Sequence, residues 1–292
     1  LITSTVLALS ASPLTAQQEP EFVGEKTTVV VFPRGDYYPP HIAGPHQRGN
    51  AATINWIAES TAPETGAAAF GLKLGGRFGL IRFAHSDRPD LGWQIGIDAG
   101  WYGQFDISRN WDNLGWDGFF GVAFSSSLGS KAALEVGALH TSGHIGDEYI
   151  ENNGRERLGY TRTEAIVGVD WSFARDLRTY GQFAYGYGRD NPVLQKPWRV
   201  QGGLEYEANN SIWGKRFGWY AALDLNVFQE RHWRPDVSVA VGFNAWTGAR
   251  RWRLGLEYYD GHIPLGEFFF EDERYISFGL YLDLNARRTP IP

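Results

Sequence analysis

From about residue 50 to about residue 285, apolar positions alternate with polar or small ones at a period of two. Leu91, Trp93, Ile95, Ile97, Ala99 and Trp101 interleave with Gly92, Gln94, Gly96, Asp98, Gly100 and Tyr102. Successive side chains of a strand point to opposite faces, so such a segment has one apolar face and one polar or small face. The same alternation recurs in the runs that begin at Phe217, Val237, Trp252 and Ile276. No stretch shows the i, i+3, i+4, i+7 stripe of an amphipathic helix, so helices are expected to be minor. The alternating runs predict about twelve strands, near 50–60, 67–84, 91–106, 115–128, 131–145, 160–175, 178–188, 198–208, 216–230, 236–247, 250–262 and 273–285.

Most of these runs reach the roughly 9–11 residues that a tilted strand needs to cross a bilayer. Tight turns are expected at Leu128-Gly129-Ser130, Ala174-Arg175-Asp176 and Thr247-Gly248-Ala249, and longer loops at Ser108–Gly115, Gly146–Gly159, Gly188–Pro197 and His262–Arg274. Short turns on one rim and long loops on the other are the layout of an outer-membrane barrel. One face of the runs is rich in Trp, Tyr, Phe, Leu and Val, with aromatics near strand ends, where headgroups would sit. The other face carries Lys73, Arg77, Asp98, Glu135, Glu164, Asp170, Arg199, Glu205, Asp224, Arg251, Arg253 and Glu257. Charges of both signs on one face can pair across a narrow lumen, which argues for a plugged or constricted interior rather than a wide porin. In a bilayer every backbone polar group must be paired within the protein, and a sheet achieves that by closing on itself. The expected fold is therefore all-β: a closed antiparallel transmembrane β-barrel of about twelve strands over residues 50–285, in the bacterial outer membrane. The competing expectation is a secreted soluble barrel or sandwich with its apolar face inward.

Composition narrows the function classes. The chain has 292 residues, no Cys and no Met, and a net charge of −6. Without Cys there is no disulfide framework, thiolate metal site or cysteine nucleophile. A negative balance without a basic tract makes nucleic acid an unsuitable partner. No run of 18 apolar residues occurs, so a transmembrane helix is not expected. Residues 1–16, LITSTVLALSASPLTA, look like the apolar core and cleavage site of a truncated signal peptide. Residues 17–49 contain a possible short strand, Thr27–Phe32, followed by Pro33, Pro39, Pro40 and Pro45, which forbid a regular ladder. This region reads as an N-terminal periplasmic segment at the barrel mouth, partly in the lumen, or as a plain linker. Residues 286–292 form a C-terminal tail. The expected partners are the lipid bilayer and the outer-membrane assembly machinery.

Several segments resemble a bacterial outer-membrane β-barrel family known only as a domain of unknown function, DUF1207. They are Tyr38-Pro39-Pro40-His41-Ile42-Ala43-Gly44-Pro45, Gly79-Leu80-Ile81-Arg82, Trp93-Gln94-Ile95-Gly96-Ile97-Asp98, His140-Thr141-Ser142-Gly143-His144-Ile145-Gly146-Asp147-Glu148-Tyr149 and Gly261-His262-Ile263-Pro264-Leu265-Gly266-Glu267-Phe268-Phe269. Glu267 stands where this pattern leads one to expect Gln. The resemblance implies an envelope barrel and supplies no activity.

The fifth strand carries the one constellation with recognisable chemistry. Continuing its phase places His140, Ser142 and His144 on the outer, lipid-facing side near the extracellular rim. In this respect it is similar to outer-membrane phospholipase A, a twelve-stranded barrel with a His-x-Ser pair at outer-leaflet height. Same-face neighbours lie roughly 6–7 Å apart, so His140 could activate Ser142 for attack on an ester. His144, Asp147 and Glu148 are binding candidates. The two carboxylates would orient a histidine or, under this hydrolase reading, bind calcium. No cofactor is otherwise expected, and a His/Asp/Glu metal site is a further alternative. The similarity implies an Asn on the next strand to hold the histidine. None occupies it, and Asn152 and Asn153 lie in the loop. The same residues also read as interfacial polar groups beside a hydrogen-bonded loop. The sequence therefore supports two roles: a non-enzymatic structural protein or narrow selective channel, and, as the alternative, an outer-leaflet acyl-ester hydrolase.

Overall fold

The computed structural model describes residues 21–22, 26–63, 65–213, 217–248, 250–284 and 286. The expectations for the signal peptide, for Ala249 in its turn and for the end of the tail fall outside them. The strands in chain order are β1 (Glu21–Phe22), β2 (Thr27–Val31), β3 (Asn50–Ser60), β4 (Ala68–His85), β5 (Gly92–Asp106), β6 (Asp112–Ser127) and β7 (Ala132–Ile145). They continue with β8 (Thr161–Ala174), β9 (Leu177–Arg189), β10 (Trp198–Ile212), β11 (Phe217–Phe228), β12 (Pro235–Thr247), β13 (Arg250–His262) and β14 (Asp272–Asp283). One α-helix, α1 (Asp147–Asn153), lies between β7 and β8.

Strands β3 to β14 pair antiparallel with their chain neighbours, and β14 returns to β3 with Leu280 opposite Ala52. The result is a closed twelve-stranded barrel. Closure pairs the backbone of every wall strand without help from water, as a hydrocarbon environment requires. Side-chain burial alternates along most strands of the wall, most regularly in β13. Leu223, Val241 and Leu280 are 37%, 48% and 49% exposed, while Asp170, Glu205 and Arg251 are 0%, 2% and 2% exposed. The polarity is thus inverted relative to a water-soluble barrel. Each large apolar side chain left in water forgoes about 1.5–3 kcal/mol, so a wall studded with them is satisfied by acyl chains. Trp101, Trp116, Tyr187 and Trp198 lie toward the rim of longer connections, and Trp93, Trp171, Trp213 and Trp252 toward the rim of shorter ones. These are two aromatic girdles.

The loop expected over Ser108–Gly115 is shorter. Asp106 accepts from Ser108 N at 2.8 Å and Trp111 N donates to Asp106 O at 2.9 Å, which turns the chain tightly and lets β6 begin at Asp112.

The N-terminal segment completes the architecture. β4 is longer than β3, and β2 pairs with the part of β4 that β3 does not reach, Thr27 opposite His85 and Val31 opposite Ile81. At Pro33 the chain leaves the wall, and residues 33–49 run through the lumen to the start of β3. Tyr38, Ile42 and Ala43 are buried there. Gly44 has φ +103, and a Cβ on it would lie 3.1 Å from Asp224 Oδ1, so this bend suits glycine.

Candidate functional site

The lumen holds its charges in pairs, and most of them grip the N-terminal segment. Arg77 binds Asp98 and Glu135, and Arg48 of the segment reaches the same two carboxylates at 3.1–3.4 Å. Glu205 accepts from Ile42 N at 2.6 Å and from Arg178. Arg253 binds Asp283 and donates to Ile42 O at 3.0 Å, and Arg251 binds Asp283 and Glu207 at 2.8 Å each. Arg199 binds Glu164, which also accepts from Arg162. Asp224 accepts from Gln201 at 2.8 Å and from the Tyr180 hydroxyl. Glu257 accepts from Gly44 N and faces Lys73. His41 stacks on Tyr180 at 3.4 Å between ring centroids. The charged positions read from the sequence therefore meet inside the barrel, and many of them hold residues 36–48 directly.

The extracellular-type rim is closed as well. Ala62, Tyr102, Leu114, Ile145, Tyr149, Ile263, Leu265 and Phe268 form one apolar cluster of loop and strand-end residues. Glu267 is the polar pin of this cap. Its carboxylate accepts from Leu158 N, Gly159 N and Tyr160 N at 2.8, 3.0 and 3.1 Å, and Asp117 accepts from Gly266 N at 2.9 Å. Gly146 is required here because a Cβ would lie 1.8 Å from Asn113 O. Half of the His-x-Ser-x-His segment thus serves the cap, through Gly143, Ile145, Gly146 and Tyr149. Replacing Glu267 with Ala leaves three amides without their acceptor, at about 1–3 kcal/mol for a buried group. We expect faster amide hydrogen exchange at 158–160 in Glu267→Ala while the β10–β13 wall keeps its protection.

The other half of the segment faces outward. Ser142 Oγ lies 3.2 Å from His144 Nε2, and His140 Nδ1 lies 2.9 Å from Thr163 Oγ1 on β8. His144 stacks on Trp116 at 4.0 Å, and His140 packs on Phe120 at 4.8 Å. The structure therefore joins Ser142 to His144, whereas His140 is held across the strand pair by Thr163. Thr163 was missed in the sequence. The outward phase of Thr161 and Thr163 against Arg162 and Glu164 was the signal for it. An apolar groove of about 410 Å³ opens beside His140, lined by Ile97, Phe120, Val122, Ala138, Thr163 and Tyr187.

Asp147 and Glu148 stand apart, in the first turn of α1. Asp147 is exposed and pairs with Arg157 at 3.1 Å. Calcium takes six to eight oxygen ligands, and among the described residues no three His, Asp or Glu groups converge to hold a metal.

A protein-family model described as "Protein of unknown function (DUF1207)" matches residues 11–283. The chain is a DUF1207 protein. A comparison with curated proteins returned no match. Among solved structures, the DUF1207 barrel is similar to outer membrane phospholipase A from Escherichia coli, with a TM-score of 0.54 and 9% identity over 81% of this chain and 92% of that one. It is equally similar to the Salmonella typhi outer membrane phospholipase dimer with bound calcium, with a TM-score of 0.54 and 11% identity over 83% and 93%. The NanC porin matches with a TM-score of 0.44 and 14% identity over 81% and 100%. At such identities the likeness to the phospholipases concerns the fold of the DUF1207 barrel.

Proposed function

We propose that this DUF1207 protein is an outer-membrane barrel with a structural or binding role and a lumen closed at rest. The single observation behind this is the course of residues 33–49 through the lumen, tied to Glu205, Arg253, Asp98 and Glu135. A solute would pass only after this segment and the cap had both moved. In planar bilayers the purified protein should insert without steady conductance, and charge changes at Arg251 or Glu257 should leave it silent. A stable ohmic conductance in the unaltered protein would reject the closed lumen. Recovery from an outer-membrane fraction, with different gel migration before and after boiling, tests the location.

A second role is favoured by the Ser142–His144 hydrogen bond beside the apolar groove. In it, Ser142 is the nucleophile of an outer-leaflet acyl-ester hydrolase. The imidazole takes the hydroxyl proton as oxygen attacks the ester carbonyl, the alcohol leaves with that proton, and water then releases the acyl group. The 3.2 Å contact between Ser142 Oγ and His144 Nε2 supports His144 as the base, and His140 is the alternative. Detergent-solubilised phospholipid should be hydrolysed, Ser142→Ala should be at least a hundredfold slower, as general-base activation typically contributes on the order of 100-fold or more, and His144→Asn should be impaired more than His140→Asn. Equal turnover in Ser142→Ala, or none in the unaltered protein, removes this role.

A further inference from the structure

Between the N-terminal segment and the cap lies an internal cavity of about 130 Å³. A buried water requires about 10–15 Å³ of such space, so the cavity has room for a cluster of waters or for one small organic molecule. It brings together four of the segments that carry the family resemblance: His41, Asp98, Thr141, and His262 with Leu265 and Gly266.

The charged groups around it are already engaged. Arg48 and Arg77 bind Asp98 and Glu135, Arg162 and Arg199 bind Glu164, and Asp117 holds the Gly266 amide. An ionic ligand would have to break one of these pairs in a poorly solvated place, where removing a partner from a buried charge is costly.

The groups left over are donors and acceptors that bring no unpaired charge. Asn226 is 7% exposed and its Oδ1 has no hydrogen-bond partner. The Thr141 hydroxyl and the His46 ring make no side-chain hydrogen bond among the described residues, and both residues line the cavity. His262 points Nδ1 at Asp236 Oδ2, 2.6 Å away, which leaves Nε2 as the atom its ring can offer. His46 and His262 lie with their rings 5.7 Å apart. Phe228, Tyr160 and Phe269 supply apolar faces. Paired charges, spare donors and acceptors, and aromatic faces are together the complement of a molecule with several hydroxyls and no net charge.

We propose that this cavity binds a neutral polyhydroxylated solute of about monosaccharide size, held by Asn226, Thr141, His46 and His262. The proposal goes beyond the closed barrel and is independent of Ser142.

The test is calorimetric titration of the detergent-solubilised full chain with D-glucose and glycerol, and with gluconate and glucosamine as charged comparators. Each probe is also added during refolding, so that a closed cap does not hide the site. The neutral probes should bind, the charged ones at least tenfold more weakly. Asn226→Leu and Thr141→Val should each weaken glucose binding about tenfold while keeping the heat-dependent gel shift of a folded barrel. Absence of glucose and glycerol binding under both regimes would overturn the proposal. So would equal binding of gluconate, or unchanged affinity in both variants. Bilayer conductance is read separately, so failure here is distinguishable from failure of the closed lumen.

Discussion

Deleting residues 33–49, with residue 32 joined to Asn50 through a short Gly-Ser linker, and loosening the cap with Glu267→Ala should together turn a silent barrel into a conducting one. The segment fills the centre of the lumen and is held by at least four wall groups: Glu205 on the Ile42 amide, Arg253 on the Ile42 carbonyl, and Asp98 and Glu135 on Arg48. Without it these groups face one another across space that water will occupy. The wall does not depend on the segment for its ladder, because β3 closes directly on β14 and on β4. Single-channel recordings should show long-lived openings in the combined variant and none in the parent. A combined variant that retains the heat-dependent gel shift but stays silent would overturn the role of residues 33–49 as the plug.

The second large effect is expected at Arg77. Arg77 is 9% exposed and its guanidinium faces Asp98, Glu135 and Asp36. Arg77→Met removes the positive centre of that cluster and leaves Arg48 to face it alone. Breaking a buried pair from one side costs about 3–5 kcal/mol, because the remaining charges have lost both water and partner. The urea midpoint of the refolded barrel should fall accordingly. Arg77→Met combined with Glu135→Leu should recover much of the loss, since the second change removes one of the orphaned carboxylates. An unshifted midpoint in the single variant would show that Arg48 and water carry the cluster without Arg77.

The wall was legible in the sequence because it separates two media. Alternation at Leu223, Asp224, Leu225 and Asn226 records lipid on one side and a polar interior on the other, and such a pattern needs no knowledge of partners. Strand ends were less legible where a side chain sets the turn, as Asp106 does by capping Ser108 and drawing β6 forward to Asp112. The course of residues 33–49 has no periodicity to read. Its prolines exclude a ladder without saying where the chain goes, and its anchors, Glu205 and Arg253, lie more than 160 positions away. The outward ladder on β7 was legible in phase and not in pairing. His140 and His144 both stand two residues from Ser142, so spacing treats them alike. The choice between them is made across the sheet, where Thr163 engages one ring and Trp116 stacks on the other. Glu267 was visible as an unusual residue in its motif. Its role as the acceptor for three consecutive amides depends on two loops meeting.

The short pairing of β2 with the overhang of β4 has a consequence for how the molecule behaves among its own kind. Residues 81–85 would otherwise present a bare ribbon of donors and acceptors, the kind of template on which a neighbouring chain adds a strand. Five residues, Thr27–Val31, occupy that template from within the same chain. The stretch that leads the chain inward thereby also keeps the barrel from stitching itself, edge to edge, into chains of copies.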